Sequence, residues 1–118
     1  MKKINLAISG CMGRMGQQLI KSASKDKSIK LVTLTENRVV NKKVNGIKPE
    51  YNTEEAFNRA NVIIDFTIPK CTFEILKIAT KLKKKVVIGT TGFTKKEEDL
   101  IKNFSNKIPI LQAGNMSL

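Results

Sequence analysis

The sequence predicts a doubly wound α/β domain, a parallel sheet with helices on both faces. Three observations lead there. Short runs that are apolar throughout alternate with stretches carrying apolar residues at helical spacing, the pattern of a sheet buried on both sides. A glycine-rich turn, Gly10 to Gly16, follows the first of these runs. With 118 residues, 41% of them hydrophobic, the chain suits one domain with its own core and not two.

The elements follow in order. Lys3 to Ser9 reads as a buried strand, and Arg14 to about Ser24 as a helix with Met15, Leu19, Ile20 and Ala23 at helical spacing. Ile29 to Thr35, rich in β-branched residues, is the second strand. Asn37 to Pro49 is polar and basic, hence a loop. Thr53 to Phe57 predicts a short helix with Asn52 or Thr53 as its N-cap. Val62 to Phe66 is the third strand, with Pro69 just beyond its end. Thr72 to Leu82 has a helical face made by Phe73, Leu76, Ile78, Ala79 and Leu82. Lys85 to Gly89 is the fourth strand. Thr94 followed by Glu97 predicts a capping box opening a helix to Phe104, and Ile108 to Leu111 is the last strand. No repeat, low-complexity tract or linker interrupts this alternation.

Composition removes several function classes. There is no His, so neither a Ser-His-Asp triad nor a His-ligated zinc is available. Cys11 and Cys71 are too few and too far apart for a cysteine zinc site or a disulfide framework, and read as reduced thiols. No apolar run approaches the ~20 residues of a membrane span. The run from Ile4 to Ser9 is too short for a signal-peptide core, so the expected location is cytoplasmic, without a membrane partner. The net charge of +12 invites a nucleic-acid reading. The cations are mostly Lys, dispersed, with little aromatic interleaving for base stacking, so no nucleic-acid partner is expected. A solvated lysine-rich surface that favours anionic ligands accounts for them.

The turn carries the chemistry. Gly10-Cys11-Met12-Gly13-Arg14-Met15-Gly16 lies between the first strand and the first helix. Glycines there permit a tight turn, close approach of a pyrophosphate to the backbone, and close helix–strand packing; the helix N-terminus then holds the phosphates. The spacing is Gly-x-x-Gly-x-x-Gly, a departure from Gly-x-Gly-x-x-Gly, but its place in the first βα turn points to a Rossmann-like nucleotide domain. Glu36, 20 residues after Gly16 at the end of the second strand, suits the adenosine ribose hydroxyls. Arg38, two residues on, could pair with a 2′-phosphate if the cofactor carries one. Cys11, at a helix N-terminus, is expected to have a lowered pKa and a packing role in the turn.

Ligands of open α/β sheets sit beyond the carboxyl ends of the strands. Three further strand ends carry distinctive residues: Asp65-Phe66-Thr67-Ile68-Pro69, Gly89-Thr90-Thr91-Gly92-Phe93 and Ala113-Gly114-Asn115-Met116-Ser117. Together with the turn they would line one crevice, offering hydroxyls and backbone groups to a carboxamide or a carboxylate.

These motifs, in this order, resemble the N-terminal half of the 4-hydroxy-tetrahydrodipicolinate reductases, also called dihydrodipicolinate reductases, of lysine and diaminopimelate biosynthesis. The resemblance covers essentially the whole chain. It implies that Gly10, Cys11, Met12, Gly13, Arg14 and Met15 hold the pyrophosphate, that Glu36 takes the ribose, and that Arg38 meets a 2′-phosphate. It implies too that Gly89, Thr90 and Thr91, with Ala113, Gly114, Asn115 and Met116, contact the nicotinamide end, beside Phe66 and Thr67. In the family the basic residue usually follows the acidic one directly, whereas Asn37 intervenes here, so the resemblance implies NADH or NADPH and leaves both open.

The resemblance further implies a C-terminal domain, bearing a His-His-x-x-Lys element and a Gly-Thr substrate loop, that binds a small dicarboxylate and forms a homotetramer. On this reading residues 1–118 are the NAD(P)-binding domain, residues 113–118 begin the connection to that second domain, and no catalytic residue lies in this chain. A standalone nucleotide-binding or regulatory module is the alternative from a different class. An amino-acid dehydrogenase of the same fold fits less well, because of the Gly-Thr-Thr-Gly-Phe segment.

Overall fold

In the computed structural model, which describes residues 2–113, strands and helices alternate along the chain. The strands are β1 (Ile4–Ser9), β2 (Ile29–Thr35), β3 (Val62–Asp65), β4 (Lys85–Ile88) and β5 (Ile110–Gln112). The helices are α1 (Arg14–Lys25), α2 (Glu54–Asn58), α3 (Pro69–Leu82) and α4 (Lys95–Ser105). All strand pairs are parallel, in the order β2-β1-β3-β4-β5. The chain thus winds outward from β1 in one direction and then in the other. With right-handed crossovers this puts α1 on one face and the later helices on the opposite face.

The two faces have separate cores. Leu6, Ile8 and Leu34 meet Ile20 and Ala23 of α1. Ala7, Ile63, Val86 and Ile88 meet Phe57, Ile75, Leu76, Ala79 and Ile101 on the other side. Among the described residues the cover on the α1 face is incomplete. Leu34, Ile8, Ile64, Val87 and Leu111 form one row across all five strands. The first two are fully buried, the next two half-buried, and Leu111 is 63% exposed.

Local chemistry explains where elements begin and stop. α3 starts at Pro69, three residues before the predicted Thr72, because proline at the first helical position is preset for the helix and loses no hydrogen bond there. Lys83, in the left-handed conformation at φ 57°, ends it. α4 opens on the predicted capping box, with Thr94 accepting from the Glu97 N–H and Glu97 accepting from the Thr94 N–H. Thr53 caps α2, while Asn52 accepts instead from the Ser9 hydroxyl at 3.0 Å. β5 begins at Ile110 rather than Ile108. Ile108 turns into the core, and Pro109 lacks an N–H, although its carbonyl accepts from Val86. Among the described residues no helix is long and apolar enough to cross a membrane.

Candidate functional site

The three glycines of the turn do different work. Gly10 sits at φ +80°, and a Cβ there would run into the carbonyl of Phe66. A Cβ on Gly16 would strike the Gly10 carbonyl, so this glycine lets α1 pack down on the turn. Gly13 is in an ordinary extended conformation, and a Cβ on it would meet only the Gly10 oxygen at 3.4 Å. Nothing in the fold requires glycine at 13; the position is open outward.

The turn is held by its own backbone. The N–H groups of Gly10 and Cys11 donate to the Thr35 carbonyl, that of Gly13 to Gly10, and that of Gln17 to Gly13. The N–H groups of Arg14, Met15 and Gly16 precede the first intrahelical bond and point out of the helix end, where the dipole favours an anion. Gly13 brings no side-chain cap to satisfy them. Beside them lies Glu36: its Oε2 accepts from the Met12 N–H at 3.0 Å and its Oε1 from the Asn37 N–H at 3.1 Å. Arg38 is exposed on the following loop.

Cys11 corrects one expectation. Its thiol is buried and its pKa is pushed up from 9.0 to about 11, by burial first and then by the Glu36 charge. The helix end does not lower it, because the side chain points into the core between β1, β2 and α1 rather than along the helix axis. Its packing role stands.

A cleft of about 620 Å³ joins the strand ends. Gly13, Arg14, Met15 and Gly16 form one wall, Phe66 and Thr67 the floor, and Gly89, Thr90, Thr91 and Ala113 the other wall. Nine of the predicted residues therefore line one space. Gly10, Cys11 and Met12 stand behind it as the frame of the turn, and Glu36 lies past its edge. Gly114, Asn115 and Met116 lie outside the described residues. Gly89 is required here, since a Cβ would enter the ring of Phe66. Thr91 is exposed, whereas Thr90 is buried and its Oγ1 accepts from the Thr67 N–H at 2.8 Å.

A second hollow, about 360 Å³, opens on the far side of Glu36, where Tyr51, Ile68, Lys70 and Glu74 surround Glu36 and Asn37. Sequence reasoning passed over Tyr51 and Lys70. Tyr51 belongs to a loop whose course no periodicity reveals, and the exposed rings and chains of Tyr51 (53%) and Ile68 (51%) are visible only in three dimensions. A larger hollow along the outer edge of β2, about 790 Å³, holds none of the predicted residues. Arg59 crosses it to Glu50 at 2.6 Å. Among the described residues no three His, Cys, Asp or Glu side chains are grouped to hold a metal ion.

A family model described as the N-terminus of dihydrodipicolinate reductase matches residues 4–116. The chain belongs to the dihydrodipicolinate reductase family. A 4-hydroxy-tetrahydrodipicolinate reductase of Pelagibacter ubique is 69% identical to it over 118 residues, all of this chain and 46% of that protein. The corresponding enzyme of Bdellovibrio bacteriovorus is 40% identical over 118 residues, 47% of its length. The chain thus spans about half the length of the curated relatives it matches. Among solved structures, the dipicolinate-bound dihydrodipicolinate reductase of Paenisporosarcina sp. TG-14 superposes with a TM-score of 0.79 at 24% identity, over 98% of this chain and 48% of that one. That likeness is one of fold, and it agrees with the topology described above.

Proposed function

We propose that this chain is the cofactor-binding half of a 4-hydroxy-tetrahydrodipicolinate reductase, holding NADH or NADPH across the carboxyl ends of its sheet. The observation that carries the reading is the Met12–Glu36 hydrogen bond beside an unobstructed Gly13. It sets a carboxylate for the ribose next to free helix-end N–H groups for the pyrophosphate. Such a constellation fits a dinucleotide better than a lone phosphate, because the cleft continues about 620 Å³ toward Ala113.

In this reading Gly10 to Met15 cradle the pyrophosphate, with Cys11 acting only through its backbone. Glu36 orients the ribose and Arg38 answers a 2′-phosphate. Phe66, Thr67, Gly89, Thr90, Thr91 and Ala113 enclose the nicotinamide end, continued by Gly114, Asn115 and Met116. When bound, the nicotinamide supplies the hydride for reduction in the lysine and diaminopimelate route. The chain's own residues bind and orient it. Residues 1–118 form the NAD(P)-binding domain, with 113–118 leading toward a second domain that takes the dicarboxylate substrate. The enzyme works in the cytoplasm as a homo-oligomer, a tetramer on the family pattern.

The test is calorimetric titration of NADH and NADPH into the 118-residue protein and its Gly13→Val variant. Binding to the parent is expected, with at least tenfold loss in a variant that stays folded and gives up only the ~1 kcal/mol of a poorer N-cap. Absence of binding to the parent, or equal binding to both proteins, overturns the reading. The chain by itself should not turn over substrate, since it has no His and the resemblance puts the catalytic and substrate-binding groups in the second domain.

A further inference from the structure

Asp65 is the only charged residue buried among the described residues, and it stands one layer behind the cleft. Its Oδ1 accepts from the Thr67 hydroxyl and its Oδ2 from the Thr72 hydroxyl, both at 2.5 Å. The backbone continues the connection. The Thr67 N–H donates to Thr90 Oγ1 at 2.8 Å, Thr90 Oγ1 reaches the Asp65 carbonyl at 3.4 Å, and the Gly89 N–H donates to that same carbonyl at 2.8 Å. One residue thereby ties together the loop after β3, the loop after β4 and the first turn of α3.

An aliphatic side chain would fill the same space at lower cost, because a buried carboxylate surrenders hydration that hydrogen bonds only partly return. Desolvation indeed pushes the Asp65 pKa up, against three threonine hydroxyls that pull it down. What the carboxylate supplies, and a leucine would not, is direction. It turns the Thr67 hydroxyl inward, Thr67 in turn holds Thr90 through its N–H, and the carboxylate so fixes the spacing of the two loops whose outer surfaces line the cleft.

We propose that Asp65 is a positioning residue for the nicotinamide end of the cofactor, acting through Thr67 and Thr90. This rests on the dinucleotide reading above. Thr90 then serves the site by holding Thr67, not by touching the ligand with its own hydroxyl. The adenosine end depends on the glycine turn and Glu36, which none of these hydrogen bonds reaches. Damage to the network should therefore separate the two ends of the ligand.

The experiment compares NADH with ADP-ribose, which lacks the nicotinamide, on the parent, Asp65→Asn, Thr67→Val, Thr90→Val and Thr90→Ser. The parent should bind NADH several-fold tighter than ADP-ribose and enhance the reduced nicotinamide's fluorescence. Asp65→Asn, Thr67→Val and Thr90→Val should erase that preference and the enhancement while ADP-ribose affinity stays within twofold. Thr90→Ser, which keeps the hydroxyl, should retain both. If Asp65→Asn does not fold, the two isosteric valine variants carry the test. Equal loss for both ligands, or a preference unchanged in the variants or absent in the parent, overturns the proposal. Failure of the parent to bind either ligand would instead sink the dinucleotide reading itself.

Discussion

The backbone N–H of Met12 donates to Glu36 Oε2 at 3.0 Å, joining the glycine turn to the end of β2 across 24 residues of sequence. The hydrogen bond presets the carboxylate at the rim of the turn, where, on the proposed reading, a ribose would meet an acceptor already in place. It also holds a negative charge close to where a 2′-phosphate would sit, with Arg38 on the adjoining loop as the available counter-charge.

Cofactor choice follows from that pair. Arg38→Ala should weaken NADPH binding by roughly ten- to 150-fold, the ~1.5–3 kcal/mol worth of a charge-assisted hydrogen bond, and leave NADH within twofold. Glu36→Gln should weaken NADH and improve NADPH relative to it, by removing the repulsion. Titrations of both cofactors into each variant check this. Equal losses for the two cofactors in Arg38→Ala would mean that Arg38 does not read the phosphate.

The glycines should separate stability from binding. Gly10→Ala combines ~1–2 kcal/mol of left-handed strain with ~1–3 kcal/mol of overpacking against Phe66, and Gly16→Ala meets the Gly10 carbonyl. Both should lower the melting temperature markedly. Gly13→Ala should cost ~1 kcal/mol or less, the loss of a tolerable N-cap. Urea denaturation of the three variants would rank them; Gly13→Ala as the most damaging would contradict the open position of residue 13.

Alkaline pH should act on Cys11. The folded thiol holds its proton to about pH 11, against 9.0 for an ordinary one. The folded state therefore binds that proton more tightly than the unfolded chain. Its contribution to stability is complete below pH 9 and is lost as pH rises from there through about 11. Cys11→Ala should flatten this part of the stability profile. The native thiol should also react slowly with a disulfide reagent until denaturant is added. Parallel profiles for the parent and Cys11→Ala would refute the assignment.

The apolar row that ends at Leu111 predicts self-association. Burial falls away from Leu34 to Leu111 as the cover of α1 runs out, and bare apolar surface tends to find a partner. Leu111→Lys, which forfeits the ~1.5–3 kcal/mol of a buried leucine, should shift the protein toward monomer in sedimentation velocity. A parent chain that stays monomeric at high concentration would remove the basis for this prediction.

Much of the architecture was legible one dimension at a time. Ile29 to Thr35 and the Thr94–Glu97 capping box depend on residues close in sequence, and both stand where the local pattern puts them. The start of β5 at Ile110 was less legible, since pairing with β4 depends on neighbours in space, whereas Pro69 at the first position of α3 was a local signal that an apolar face beginning at Thr72 does not show. The glycine spacing pointed to the turn, but it did not distinguish Gly13, which the fold leaves free, from Gly10 and Gly16, which it requires.

By itself the sequence determined the alternating α/β pattern, the place of the glycine turn and the acidic residue 20 positions beyond it. Each of these is a matter of periodicity or spacing within a few tens of residues. The tertiary structure alone decided that Cys11 points into the core with a raised pKa, that Tyr51 and Lys70 reach the far side of Glu36, and that Asp65 binds two loops from behind. These outcomes are set by desolvation and by hydrogen bonds between segments distant in the chain, which exist only once the sheet has brought its strand ends together.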